Sequence, residues 1–334
     1  MAKFTKKPLS SSELYQKLVD KNLLVQDGDK SLVYESLERI GYYRLTGFCI
    51  PFIQTPPEKP KSFKAGISIH TILATYHFDT GLRGIVSLAL QKIEIALAVS
   101  ICNTLCVKHD ARWYAKEDLF TSKDTHDKIF ATAAKYIKFD VKNYVGEHNN
   151  PNEYLKHYYG KYHEPRLPPA WMLRECASFG FWSHAFKGLK KEHRDSISIH
   201  WKYPNRKPIQ SVVFESWLHT LTVFRNRCAH HNRITYTTLP YSPKTPDNVP
   251  ASERFPKLDA NGNATTNDLR TFLLIIDLLL RTVAPNYDWK GLLREQFTIA
   301  AAAGVVIRDA TGFDYDWQND TFWNDWVPLS TTKA

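Results

Sequence analysis

Nine consecutive residues, Arg225-Asn226-Arg227-Cys228-Ala229-His230-His231-Asn232-Arg233, hold three arginines, two histidines and two asparagines. Those types suit one chemistry, the metal-free cleavage of an RNA phosphodiester. A histidine titrating near neutrality takes a proton from the 2′-hydroxyl or gives one to the leaving 5′-oxygen. A permanently charged, forked arginine holds the phosphate and stabilises the charge that builds in the transition state. An asparagine orients the phosphate or the histidine. His230 is the candidate general acid/base, Arg225 the phosphate ligand and Asn226 the orienting group. His231 and Arg233 are secondary candidates. The expected products are a 2′,3′-cyclic phosphate and a 5′-hydroxyl. The plain alternative is a helix end whose cations sit at its carbonyl pole.

These residues need a scaffold, and the preceding segment offers one. Phe214, Trp217, Leu218, Leu221, Phe224 and Cys228 recur at steps of three and four, the apolar stripe of an amphipathic helix. Asn226 and His230 share its polar side, whereas Arg225 lies along the edge of the stripe. An arginine there is costly unless it is paired or faces a cleft or partner. A second continuous helix is expected from Ile69 to Val107. In it Glu94 interrupts the apolar run Ile93-Glu94-Ile95-Ala96-Leu97. Arg225 is the candidate partner that would satisfy Glu94; the alternative is that Glu94 faces solvent. Asp79 and Arg83 are spaced for an i,i+4 ion pair, worth a few tenths of a kcal/mol if exposed. On one ideal helix, however, Arg225 and His230 diverge by about 140°. They converge on one phosphate only if the helix ends inside the motif or two copies face each other.

The arginine, the polar residue after it and the histidine five places on resemble the signature of HEPN ribonucleases. More of the chain resembles the bacterial abortive-infection (Abi) family, which carries a HEPN-like core. The matching pieces are Ile40-Gly41-Tyr42-Tyr43-Arg44-Leu45-Thr46-Gly47-Phe48, Tyr76-His77-Phe78-Asp79 through Leu82-Arg83, and Ile93-Glu94. Pro169-Ala170-Trp171-Met172, Glu175, Ser178-Phe179-Gly180 and the stretch Arg225 to Arg233 follow in family order. Two pieces depart from the family pattern: Gln91-Lys92-Ile93-Glu94 is followed by Ala98, and Arg233 by Ile234-Thr235-Tyr236. The resemblance implies an all-α, HEPN-like helical bundle and an endoribonuclease acting in phage defence. It also implies a homodimer in which two protomers pool their motifs with Arg225 at the seam, and restraint by a cognate noncoding RNA or an antitoxin. Glu94 would be a secondary anchor of Arg225. No cofactor and no metal are expected.

The remainder of the chain fits an RNA partner. Net charge is +10 over 334 residues, which favours a polyanion. The densest basic run, with Lys187, Lys190, Lys191, His193, Arg194, Lys202, Arg206 and Lys207, directly precedes the signature helix. It is a candidate phosphate-contacting surface, with Arg227 on the signature itself. Tyr42, Tyr43 and Arg44 form either aromatic packing at a helix junction or a stacking platform with a cation beside it. Tyr154, Lys156, His157, Tyr158, Tyr159, Lys161, Tyr162 and His163 interleave rings and bases as an RNA-contacting surface would, or as an ordinary helix edge does.

The sequence divides into an N-terminal helical module over residues 1–60, a core over 67–285 with an insertion at about 108–167, and a C-terminal helix with an acidic-aromatic tail over 286–334. Residues 54–66 are the Pro/Lys-rich connection between the first two. Ser10 with Glu13 makes a capping box for the first helix. The helix over Trp289 to Ala303 is expected to be the last. The tail from Asp309 to Leu329 has five aspartates, three tryptophans and no Lys or Arg; it either docks back onto a basic face or is a mobile acidic end. Five scattered cysteines with no C-x-x-C pair read as reduced cytosolic thiols. No apolar run approaches the roughly twenty residues of a membrane span, and the basic N-terminus lacks an apolar region behind it. A cytoplasmic protein is therefore expected. Adjacent histidines on a helix diverge by about 100°, so Cys228, His230 and His231 cannot close on one zinc ion. The rival reading from another class is a non-catalytic RNA-binding partner that scaffolds a structured noncoding RNA through the same cations.

Overall fold

The computed structural model describes residues 7–54, 61–147, 149–247, 255 and 267–324. The fold is all-α, as the sequence predicts. The only strand pairing among the described residues beyond isolated bridges is the two-residue antiparallel ladder of β1 (Phe139–Asp140) and β2 (Val145–Gly146). Helices run in the order α1 (Ser11–Val19), α2 (Asp29–Arg39), α3 (Tyr42–Cys49), α4 (Ile69–Lys108), α5 (Lys123–Tyr136), α6 (Glu153–Lys161), α7 (Ala170–Arg174), α8 (Phe179–Gly188), α9 (Lys191–Ser198), α10 (Ser211–Ala229), α11 (Leu269–Val283), α12 (Trp289–Ala302) and α13 (Ile307–Thr311).

The described residues group into two compact units. The first holds those of 1–85, 230–237 and 288–320. Its helix starts follow local chemistry. Ser10 and Glu13 form the reciprocal capping box of α1. Gly41, at φ 85°, separates α2 from α3 by taking a conformation that a side chain would resist. Leu18, Leu37, Leu45, Phe48 and Phe63 are buried in one apolar cluster with the start of α4. The part of the acidic-aromatic tail up to Asp320 packs here, and residues 325–329 of that tail lie outside the described residues. Phe297 of α12 packs edge-on to Phe78, Phe313 and Trp317 at 5.2–5.5 Å between ring centres. A further short helix, α13, follows the one the sequence suggested would be last.

The second unit holds the described residues of 86–229, 238–287 and 321–324. Its centre is α10, which packs on α8 and α9, with α5 against α8. The buried face of α10 carries Phe214, Trp217, Leu218, Leu221, Phe224 and Cys228, the predicted stripe. The insertion is more apolar inside than its composition suggests. Trp113, Tyr114, Phe120, Ile137 and Leu155 are all buried.

α4 is 40 residues long and passes, by length and composition, as a membrane span. Its most apolar window is 44% buried inside the protein, however, and Leu90, Ile93, Leu97, Ile101 and Leu105 are fully enclosed. A long core helix has these same properties. No disulfide joins any of the five cysteines. Burial pushes the Cys49 thiol up to about 12.

Candidate functional site

α10 stops at Ala229, inside the nine-residue signature. His230 follows the helix rather than riding on it, and His231 takes a left-handed backbone at φ 57°. The angular divergence expected of an unbroken helix therefore does not apply to His230. The candidate residues then belong to two groups. Glu94, Arg225, Asn226 and Arg227 are part of the second unit; His230, His231 and Arg233 are part of the first.

In the second unit, Arg225 Nε lies 3.4 Å from Glu94 Oε2, the partner that the sequence suggested. The pair is half-buried, with Arg225 37% and Glu94 20% exposed. Nη1 of Arg225 reaches Asn226 Oδ1 at 3.5 Å, the limit of a hydrogen bond. Nη2 has no acceptor among the described residues. Arg225 and Glu94 line a pocket of about 730 Å³ together with Arg174, Glu175, Trp182 and the exposed side of α4. Ala229, the residue before His230, also lines it. Arg174 gives Nε and Nη2 to the single oxygen Oε1 of Glu175, at 3.0 and 2.8 Å. Asn226 is exposed and Arg227 half-buried.

In the first unit, the segment after α10 is fixed by its backbone. Asp79 is fully buried, and its Oδ1 accepts from Ile234 N at 2.8 Å, Thr235 N at 2.9 Å and Thr235 Oγ1 at 2.9 Å. Its Oδ2 faces Arg83 Nη1 at 3.3 Å, an ion pair without hydrogen-bond geometry. Burial pushes the Asp79 carboxyl above the usual carboxylate range, against the pull of those donors and Arg83. Arg83 Nη1 also donates to His231 O at 2.7 Å, and Nη2 to Thr80 Oγ1 at 2.8 Å. Arg44 Nη1 donates to the same His231 carbonyl at 2.9 Å. Arg233 Nη1 donates to Gly47 O at 2.8 Å, and its Nη2 to Tyr236 O at 3.3 Å. His230 and His231 keep exposed side chains while the chain beneath them is tied down. The Asp79–Arg83 pair is thus no exposed i,i+4 decoration. It is a buried clamp on residues 231–235, and the spacing alone could not distinguish the two.

The candidate RNA-contacting residues separate by burial and partner. Tyr43 is 84% exposed, whereas Tyr42 packs against the first unit's core and its hydroxyl accepts from Lys21 Nζ at 3.4 Å. Lys187, Lys190, Arg206 and Lys207 are exposed. Lys191 pairs with Asp195 at 2.6 Å, and Arg194 with Glu215. In the 154–163 stretch the rings divide. Tyr158 and Tyr159 are buried, donating to Leu167 O and Ile137 O at 3.0 Å each, and Tyr154 and Tyr162 are exposed. Among the described residues no three His, Cys, Asp or Glu side chains are grouped as a metal ion would need.

A family model described as "Abi-like protein" matches residues 35–235, well over half of the chain. The match begins within α2 and ends at Thr235, the residue that Asp79 holds. The chain belongs to the Abi-like protein family. No curated protein and no solved structure matches it.

Proposed function

We propose that the protein is a metal-independent, HEPN-type endoribonuclease of the abortive-infection kind, acting in phage defence. His230 is the general acid/base, Arg225 stabilises the phosphate and Asn226 orients it. His231 and Arg233 support the segment, and Glu94 anchors Arg225. The observation that carries this reading is the end of α10 at Ala229, between the arginine and the histidine. It releases His230 from the helical register while Arg225 stays on a rigid helix, paired through Nε and with Nη2 open. A half-exposed arginine and an exposed histidine fit a site that a second protomer completes, so the working enzyme is a homodimer. A cognate noncoding RNA or an antitoxin restrains it. Membership in the Abi-like family supports the defence role.

The exposed lysines around α9 and the preceding loop favour a second reading, a non-catalytic partner that scaffolds a structured RNA. One experiment separates the two. Labelled RNA is incubated in excess EDTA with wild type, His230→Ala and Arg225→Ala, each checked for folding and co-purifying RNA. The nuclease reading expects cleavage by wild type and a loss of at least about a hundredfold in both variants. Three inactive proteins carrying equal amounts of bound RNA would leave the scaffold.

A further inference from the structure

The pocket beside Arg225 contains a second arginine that the signature does not include. We infer that Arg174 and Arg225 together form an RNA-binding subsite, in which the phosphate of a nucleotide next to the scissile bond spans the two guanidinium groups. This rests on the ribonuclease reading above. The two arginines line the same cavity of about 730 Å³, within the range of ligand sites and roomy enough for a nucleotide. They arrive from different elements, α7 and α10, so their meeting is a property of the fold rather than of one helix.

Their glutamates hold them differently. Glu94 touches Arg225 through Nε and Asn226 Oδ1 meets Nη1 at 3.5 Å, which leaves Nη2 open on a residue that lines the cavity. Glu175 takes both Nε and Nη2 of Arg174 onto one oxygen and so covers the edge that a phosphate would use. Residues adjacent in sequence do not face each other on a helix. The pair closes because Glu175 is the C-cap of α7, just past its last turn. Arg174 and Glu175 are 32% and 38% exposed, so the pair is a weak, solvent-screened one. A bidentate phosphate displaces such a partner readily.

The walls suit the rest of a nucleotide. Leu88 and Ile95 line the cavity from α4 and are 54% and 58% exposed, an apolar surface for the face of a base. Trp182, fully buried, also lines it, and its indole N–H has no acceptor among the described residues. A phosphate or base carbonyl in the cavity supplies an acceptor near a donor that otherwise lacks one.

The test is binding of a short, uncleavable 2′-O-methyl oligoribonucleotide across a salt series. Proteins are wild type, Arg174→Ala, Glu175→Gln and Arg225→Ala, with folding confirmed by circular dichroism. Arg174→Ala is expected to weaken binding about tenfold and to flatten the salt slope by roughly 0.7. Glu175→Gln removes the competitor for Arg174 and tightens binding severalfold, a sign that a merely structural role for the pair would not give. Equal affinities and slopes for wild type, Arg174→Ala and Glu175→Gln, with Arg225→Ala weakened, would overturn the subsite and leave the nuclease reading standing. The expected binding pattern without cleavage of unmodified RNA would keep the two arginines as an RNA-binding site but end its placement beside a scissile bond together with the nuclease reading. No binding by wild type would overturn both.

Discussion

Replacing Asp79 by alanine tests whether one buried carboxylate holds the segment that presents His230. The substitution strips an acceptor from two backbone N–H groups and one hydroxyl, at Ile234 and Thr235, all within the buried interior. Each stranded donor costs about 1–3 kcal/mol. It also leaves Arg83, 6% exposed, without its counter-charge, and breaking a buried pair from one side costs about 3–5 kcal/mol. These costs share one group and do not add. Arg83 keeps its bonds to His231 O and Thr80 Oγ1, which holds the total down. The expected loss for Asp79→Ala is about 3–5 kcal/mol, a large share of a typical stability of roughly 5–15 kcal/mol. Asp79→Asn removes the same counter-charge but keeps an acceptor at Oδ1 for the three donors, so it should lose about 1–3 kcal/mol less than the alanine variant. Urea unfolding followed by tryptophan fluorescence measures both, with the slope m checked for constancy. A loss below about 1 kcal/mol for the alanine variant would refute the clamp, as would equal losses for alanine and asparagine.

Four further outcomes follow from the same geometry. Glu94→Gln should change stability by less than about 1 kcal/mol, because the pair is half-exposed, yet lower the cleavage rate by loosening Arg225; unfolding and single-turnover kinetics read the two separately. Mixing inactive Arg225→Ala with inactive His230→Ala should regain cleavage if protomers pool their motifs, whereas no recovery from a monomeric mixture would contradict the shared cleft. A Cβ at Gly146 would run into the ring of buried Tyr159, so Gly146→Ala should cost about 1–3 kcal/mol, seen as a lower melting temperature. His109 and His193 meet at 3.4 Å, and burial holds both imidazoles below their ordinary range, helped by Lys108 and, at His193, by His109 itself. Depressed folded values mean that the unfolded chain takes up protons first. Their stability contribution is complete above about pH 6.5 and lost as pH falls through the unfolded value toward the folded ones. The melting temperature should fall on acidification from pH 7 to 5, and less steeply in His193→Gln; identical slopes would contradict this.

The helical architecture was legible because its signals are local and periodic. The apolar stripe of α10, the capping box at Ser10 and the long run of α4 each follow from spacing along one element. The Arg225–Glu94 pair was legible for a related reason: each charge interrupts an apolar face and so requires an opposite partner. What stayed hidden depends on backbone groups meeting side chains distant in sequence. Nothing in Asp79 or Arg83 announces that they bind the amides and carbonyls of residues 231–235. Arg44 reads as a cation beside two rings, and its contact is a carbonyl 187 residues away. The end of α10 at Ala229 carries no glycine or proline to mark it. Glu175 stands out in the sequence only as a piece of the family resemblance and Arg174 not at all; folding puts both in the pocket of Arg225.

The most direct test of the central claim is the chemistry of the cut ends. A single-labelled RNA is digested by wild type in excess EDTA, and the termini of the products are analysed beside a His230→Ala control. Wild type should leave 2′,3′-cyclic phosphates and 5′-hydroxyls, and the variant should leave the RNA uncut. Cleavage that stops with EDTA, that leaves 5′-phosphates, or that survives in His230→Ala would contradict that claim.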